Sequence, residues 1–98
     1  MIIAFDWDQW NIQKNEQKHG ISRLEAESIF FDRDFVIFKD QIHSSEKEFR
    51  WIGYGTSLQK RVLMCAFTLR NKKVRIISCR NASRKERDIY VRTKIKGN

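Results

Sequence analysis

Proline is absent from the sequence, and glycine occurs four times. Breakers this scarce leave no proline-rich linker, no glycine-rich phosphate loop and no low-complexity stretch. The chain therefore reads as one domain, residues 1–98, long enough to bury a modest core without metals or disulfides. Cysteine occurs twice, at Cys65 and Cys79, each inside an apolar strand-like run. There is no CxxC pair, and the two histidines, His19 and His43, stand far apart with no HxxxH or DxD beside them. No metal site and no cofactor are expected. The thiols read as buried and free, as in a reducing cytoplasm. Burial also argues against a Cys–His nucleophile pair. No apolar run approaches a membrane span. The opening "MIIAFDWDQW" carries acids where a secretory signal carries basic residues, so export is not expected and the cytoplasm is.

What is abundant is positive charge. Twenty Lys and Arg face twelve Asp and Glu, a net charge of +8. Solubility does not require such an excess. Its field attracts polyanions, of which nucleic-acid phosphate is the commonest, and it also suits an acidic protein.

Ile2 to Phe5 reads as a strand. Asp8 caps a helix that Gly20 ends in the left-handed conformation, with Lys14, Lys18 and His19 near its negative end. Ser22 and Glu25 form a capping box for a second short helix. "DFVIF", "FRWIGYG" and "RVLMCAFTL" read as strands, the last buried on both faces. Gly53 and Gly55 permit a bulge or turn. "NKK" turns the chain into "VRIISC", an antiparallel hairpin. Ser83 and Glu86 form another capping box, opening a helix to about Ile95. The order β-α-α-β-β-β-β-α predicts an α+β domain, an antiparallel sheet packed against helices on one face.

Cutting RNA without a metal requires a base for the 2′-hydroxyl, cations for the phosphorane and a donor for the leaving oxygen. Two segments supply such groups. In "HSSEKEFRW", His43 lies in an inter-strand loop, and Glu48 and Arg50 have the spacing that puts both on one strand face. They form either a plain ion pair or a base beside a phosphate clamp. In "VRIISCR", strict alternation sends Arg75 and Arg80 to opposite faces. Arg80 ends its strand as either a phosphate fork or a structural arginine bonding loop carbonyls. Lys85 and Arg87 read as solvated, whereas Arg84 sits in a first helical turn that disfavours a cation. Tyr90 is a further proton donor. Trp7, Trp10, Trp51, Tyr54 and Tyr90 can stack on bases or pack in a core or interface.

Several segments together resemble the BrnT-type toxins of bacterial type II toxin–antitoxin modules. They are "FDWD", Asn15 with "KHGI", "EAESIF", "HSSEKEFRW", "GTSLQKRVLMCAFT" and "RIISCRNASRKERDIY", in that order over nearly the whole chain. Departures are an extra residue between His43 and Arg50, Asn11 in place of a lysine, Leu24 in place of an acid and Cys79 in place of an alanine. The resemblance implies a RelE-like fold and a metal-independent endoribonuclease that arrests translation. It also implies a cognate BrnA-like antitoxin with a ribbon-helix-helix domain, through which the complex binds operator DNA and represses its own operon. The residues expected to carry catalysis are His43, Glu48, Arg50, Arg75, Arg80 and Tyr90, with Lys18 and Arg84 expected to bind RNA. A non-enzymatic basic binding module is the alternative.

Overall fold

The computed structural model describes residues 3–96. Strand β1 is Phe5–Asp6, so the expected start at Ile2 lies outside the described residues. Helix α1 (Gln9–His19) begins where the Asp8 carboxylate accepts from the Trp10 amide, and it ends at Gly20, φ 66°. Helix α2 (Arg23–Ser28) is capped by the Ser22 hydroxyl and runs into a 3-10 turn at Ile29–Phe31. Strands β2 (Val36–Lys39), β3 (Arg50–Thr56), β4 (Val62–Arg70) and β5 (Lys73–Asn81) follow, and α3 (Arg84–Lys96) closes the described chain. Asn71 and Lys72, with φ 52° and 65°, make the tight β4–β5 turn.

The sheet order is β1-β5-β4-β3-β2. Strands β2 to β5 are antiparallel, as the α+β reading expects, while β1 joins β5 in parallel and makes the sheet mixed. The parallel edge arises because α1 and α2 carry the chain from one edge of the sheet to the other. Ile21 between them, Ala26 of α2 and Ile29 pack on Leu63, Cys65, Phe67, Ile76 and Cys79 to form the core. This side is the inner face. Both thiols are free and buried.

Within β5, Ser78 pairs with Ala66 and Ile76 with Phe67, which leaves Ile77 as an extra residue, a bulge. The bulge resets the alternation. Ile76 and Cys79, three apart, both point into the core. Arg75, opposite Thr68, and Arg80, opposite Met64, consequently share the outer face. The expectation of opposite faces is corrected here. Strict period-two counting fails because one residue is inserted between the two arginines.

Helix α3 lies against the outer face rather than with the other helices, a second departure from the one-faced reading. Tyr90 anchors it, its hydroxyl donating to Asp32 at 2.5 Å and lying 3.0 Å from the Thr56 hydroxyl. The Ser83–Glu86 box closes both ways, with bonds of 2.8 and 3.2 Å. The Ser22–Glu25 box closes only once, because the Glu25 carboxylate turns to Arg61 in two contacts of 2.6 Å and to Ser57 at 2.7 Å. Gly53 and Gly55 make no bulge. A Cβ on Gly55 would meet the Ile29 carbonyl oxygen at 2.8 Å, and one on Gly53 would overlap the Phe35 ring. Both positions are bare so that the chain before β2 can press onto β3.

Arg61→Ala leaves the buried Glu25 carboxylate without its cation, a loss of about 3 kcal/mol. A denaturant titration should show it, with Arg23→Ala, in an exposed i,i+4 pair, nearly silent. Acid should also destabilise the fold. The Arg61 hydrogen bond holds Glu25 below its ordinary pKa. For Asp32 and Glu86 burial pulls upward, but hydrogen bonds from Thr56 and Tyr90 to one, and from Arg80 and Ser83 to the other, win. Groups lowered on folding stabilise above their unfolded pKa values and lose that contribution as pH falls through the folded ones. The denaturation midpoint should hold to about pH 5 and fall steeply below about pH 4. Asp32→Asn should flatten that fall.

Candidate functional site

The β2–β3 loop returns onto the start of β3 through its own backbone. The Asp40 amide donates to the Arg50 carbonyl at 2.8 Å, and the Arg50 amide donates to the Ser44 hydroxyl at 2.9 Å. These bonds hold His43, Glu48 and Arg50 at one end of the sheet. His43 Nδ1 lies 2.8 Å from the Asp40 carboxylate, which leaves Nε2 free on a ring that is 62% exposed. An aspartate on one ring nitrogen fixes the ring's orientation and tautomer, the arrangement a proton-transferring histidine needs. Burial raises the Asp40 pKa, yet the bonds and charge of His43 hold it below the ordinary carboxylate value.

Glu48 lies between two guanidiniums, with Arg50 Nε at 3.1 Å and Arg70 Nη2 at 3.7 Å. The ion-pair reading of Glu48 and Arg50 is therefore correct as geometry, with a second arginine that sequence reasoning missed. Alternation puts Arg70 on the face of Thr68, but only the pairing of β4 with β3 brings it beside Glu48. Thr68 pairs with both Arg50 and Arg75, so one row across three strands places Arg50, Thr68 and Arg75 side by side. Arg75 is tied to Asp6 at 3.5 Å and Asp8 at 3.2 Å. A cleft of about 440 Å³ at this end is lined by Lys47, Glu48, Phe49, Thr68 and Arg70, together with Trp51 and Leu69. The Lys39 ammonium stands 4.6 Å from the centre of the Phe49 ring.

Arg80 lies on the same outer face, about 15 Å further along β5. It holds Glu86 in a bidentate pair at 2.8 and 3.0 Å and also donates to the Asn81 carbonyl. The structural reading of Arg80 holds as geometry: its strand-end fork braces the α3 cap through Glu86 and bonds a backbone carbonyl. Near it is His19, whose pKa is lowered by burial and by the charges of Lys18, Arg80 and Lys14. A histidine so placed is neutral at pH 7. Sequence reasoning passed over it as a helix-end cation, although it lies in the "KHGI" motif. Lys18 thus belongs to this second cluster. Arg84 is exposed in the first turn of α3.

Tyr90 does not join either cluster at the surface. It is 3% exposed, and burial and Asp32 push its pKa up to about 12. Its proton is committed to Asp32, so it holds α3 in place. Of the other aromatics, Trp7 and Trp51 pack against the core, Tyr54 is buried, and Trp10 is exposed. Among the described residues, no three His, Cys, Asp or Glu side chains gather closely enough to hold a metal ion. No described helix is long and apolar enough to cross a membrane.

The crystal structure of the Brucella abortus ribonuclease toxin BrnT superposes on this fold with a TM-score of 0.61. The match covers 85% of this chain and 100% of that one at 21% identity, so it bears on the fold. No match was found among curated proteins. The family model described as the ribonuclease toxin BrnT of type II toxin–antitoxin systems aligns with residues 7–86, most of the sequence and all of the sheet's long strands. With motifs, strand order and family model in agreement, the chain belongs to the BrnT family of ribonuclease toxins of type II toxin–antitoxin systems.

Proposed function

We propose that this toxin cuts RNA without a metal, at the end of the sheet where Glu48 sits between Arg50 and Arg70. That juxtaposition carries the reading. A carboxylate able to accept a proton stands against two guanidiniums able to stabilise a phosphorane, with an oriented histidine on the adjoining loop. Glu48 takes the 2′-hydroxyl proton, and the freed oxygen attacks phosphorus. Arg50 and Arg70 stabilise the phosphorane charge. His43, presenting Nε2, protonates the departing 5′-oxygen. The products are a 2′,3′-cyclic phosphate and a 5′-hydroxyl.

The outer face extends the site. Arg75 and Arg80 continue the positive charge along β5, with Lys18 and Arg84 at the far end. A strand of RNA laid over this face meets cations at both ends, and exposed Phe49 offers a ring for a base. Tyr90 takes an architectural part in this scheme. Cleavage of cytoplasmic RNA arrests translation. A cognate ribbon-helix-helix antitoxin neutralises the toxin by covering the basic face, and the pair represses its operon.

One observation favours the alternative, a non-enzymatic basic module. Arg50, Arg75 and Arg80 each already pair with an acid of the same chain. Kinetics separates the readings. Purified, antitoxin-free protein should cleave RNA in excess chelator, with a bell-shaped pH dependence. Glu48→Gln or Arg70→Ala should lower the rate about 100-fold or more while thermal melting stays near wild type. Intact RNA under every condition, with the protein folded and bound to RNA, would favour the binding module.

A further inference from the structure

The inner face of the sheet is only partly covered. Helices α1 and α2 and the 3-10 turn occupy the region around Leu63, Cys65 and Cys79. Towards the β4–β5 turn no helix of the described residues lies above the sheet. There an apolar cavity of about 450 Å³ is lined by Phe35, Ile37, Trp51, Phe67, Leu69 and Val74, among others. Ile37 is 52% and Leu69 60% exposed. A groove whose walls are apolar throughout, open on a highly charged chain, marks a binding surface.

Two observations choose its occupant. The cavity shares Trp51 and Leu69 with the cleft that holds Glu48 and Arg70, so the two form one continuous surface. The surroundings are basic: Lys39 extends from the same strand face as Ile37, Lys47 and Arg70 line the adjoining cleft, and Lys72 of the nearby turn is followed by Lys73 at the start of β5. A second copy of a chain with net charge +8 would set like charges together there. RNA would find phosphate partners at the rim but only aliphatic and aromatic walls inside. We propose that this groove seats an amphipathic segment of the antitoxin, its apolar side chains on Leu69, Ile37 and Trp51 and its acidic residues against the surrounding lysines and Arg70. Such a segment completes the helical layer that α1 and α2 leave unfinished. It also reaches the Glu48 cleft from the side, adding a second hold to the cover over the basic face.

The inference rests on the antitoxin of the proposed function but not on the cleavage chemistry. Titration calorimetry of purified cognate antitoxin against Ile37→Asp and Ile37→Ser tests it, at a residue that lines the groove and not the Glu48 cleft. Leu58→Asp, an exposed position in the β3–β4 loop, serves as control. Both groove variants should melt like wild type, still cleave RNA and bind antitoxin about tenfold more weakly or worse. The loss for Ile37→Asp should exceed that for Ile37→Ser, because it adds a like charge, and the control should bind normally. Unchanged antitoxin affinity in both groove variants overturns the proposal. So does loss of RNA cleavage with antitoxin binding intact, since the groove would then belong to RNA. A wild-type protein that binds antitoxin yet never cuts RNA would refute the catalytic reading while leaving this binding test valid.

Discussion

One inserted residue, Ile77, sets the relation between core and surface in this protein. Without the bulge, a strand that buries Ile76 would send Cys79 outward and turn Arg80 inward. With it, Ile76 and Cys79 both reach the core, and Arg75 and Arg80 share the outer face. Burying a guanidinium without a partner costs several kcal/mol. The bulge therefore meets the demands of packing and of charge together. The outer face thus carries an arginine near each end of β5 while the inner face buries Ile76 and Cys79.

The rest of the structure holds that sheet rigid. Glu25 and Arg61 join the first turn of α2 to the β3–β4 loop through a pair whose acid is almost wholly buried. Asp32 gathers the Thr56 amide and the Tyr90 hydroxyl, tying α3 to the end of β3. Arg80 locks the Glu86 cap. These bonds lie away from Glu48, Arg50 and Arg70, so the arginines proposed to hold phosphate are separate from the residues that carry the scaffold. Arg80 is the exception, serving the cap and the cationic face at once.

Local chemistry in the sequence announced local structure. Asp8, Ser22 and Ser83 cap helices, Gly20 ends one, and Asn71–Lys72 turns a hairpin, each through groups a few residues apart. What stayed hidden depends on distant partners. Nothing near Ile77 marks it as extra, because Ile76 and Ile77 are the same residue and only the pairing with β4 tells them apart. Gly53 and Gly55 resemble breakers until Phe35 and Ile29 arrive against them. Glu25 looks like half of a capping box until Arg61, 36 residues later, claims its carboxylate. The candidate site divided in the same way. His43, Glu48 and Arg50 were legible because one loop carries them. Arg70 and Asp40 were not, because their roles follow from strand pairing and loop closure.

The outer face of the sheet is the surface proposed to meet RNA. Backbone amide chemical-shift mapping with an oligonucleotide lacking the reactive 2′-hydroxyl tests that directly. Shifts should appear along Arg50, Thr68, Arg70, Arg75 and Ser78, with the β2–β3 loop. Shifts confined to α1 and α2, with those strand residues unmoved, would contradict it.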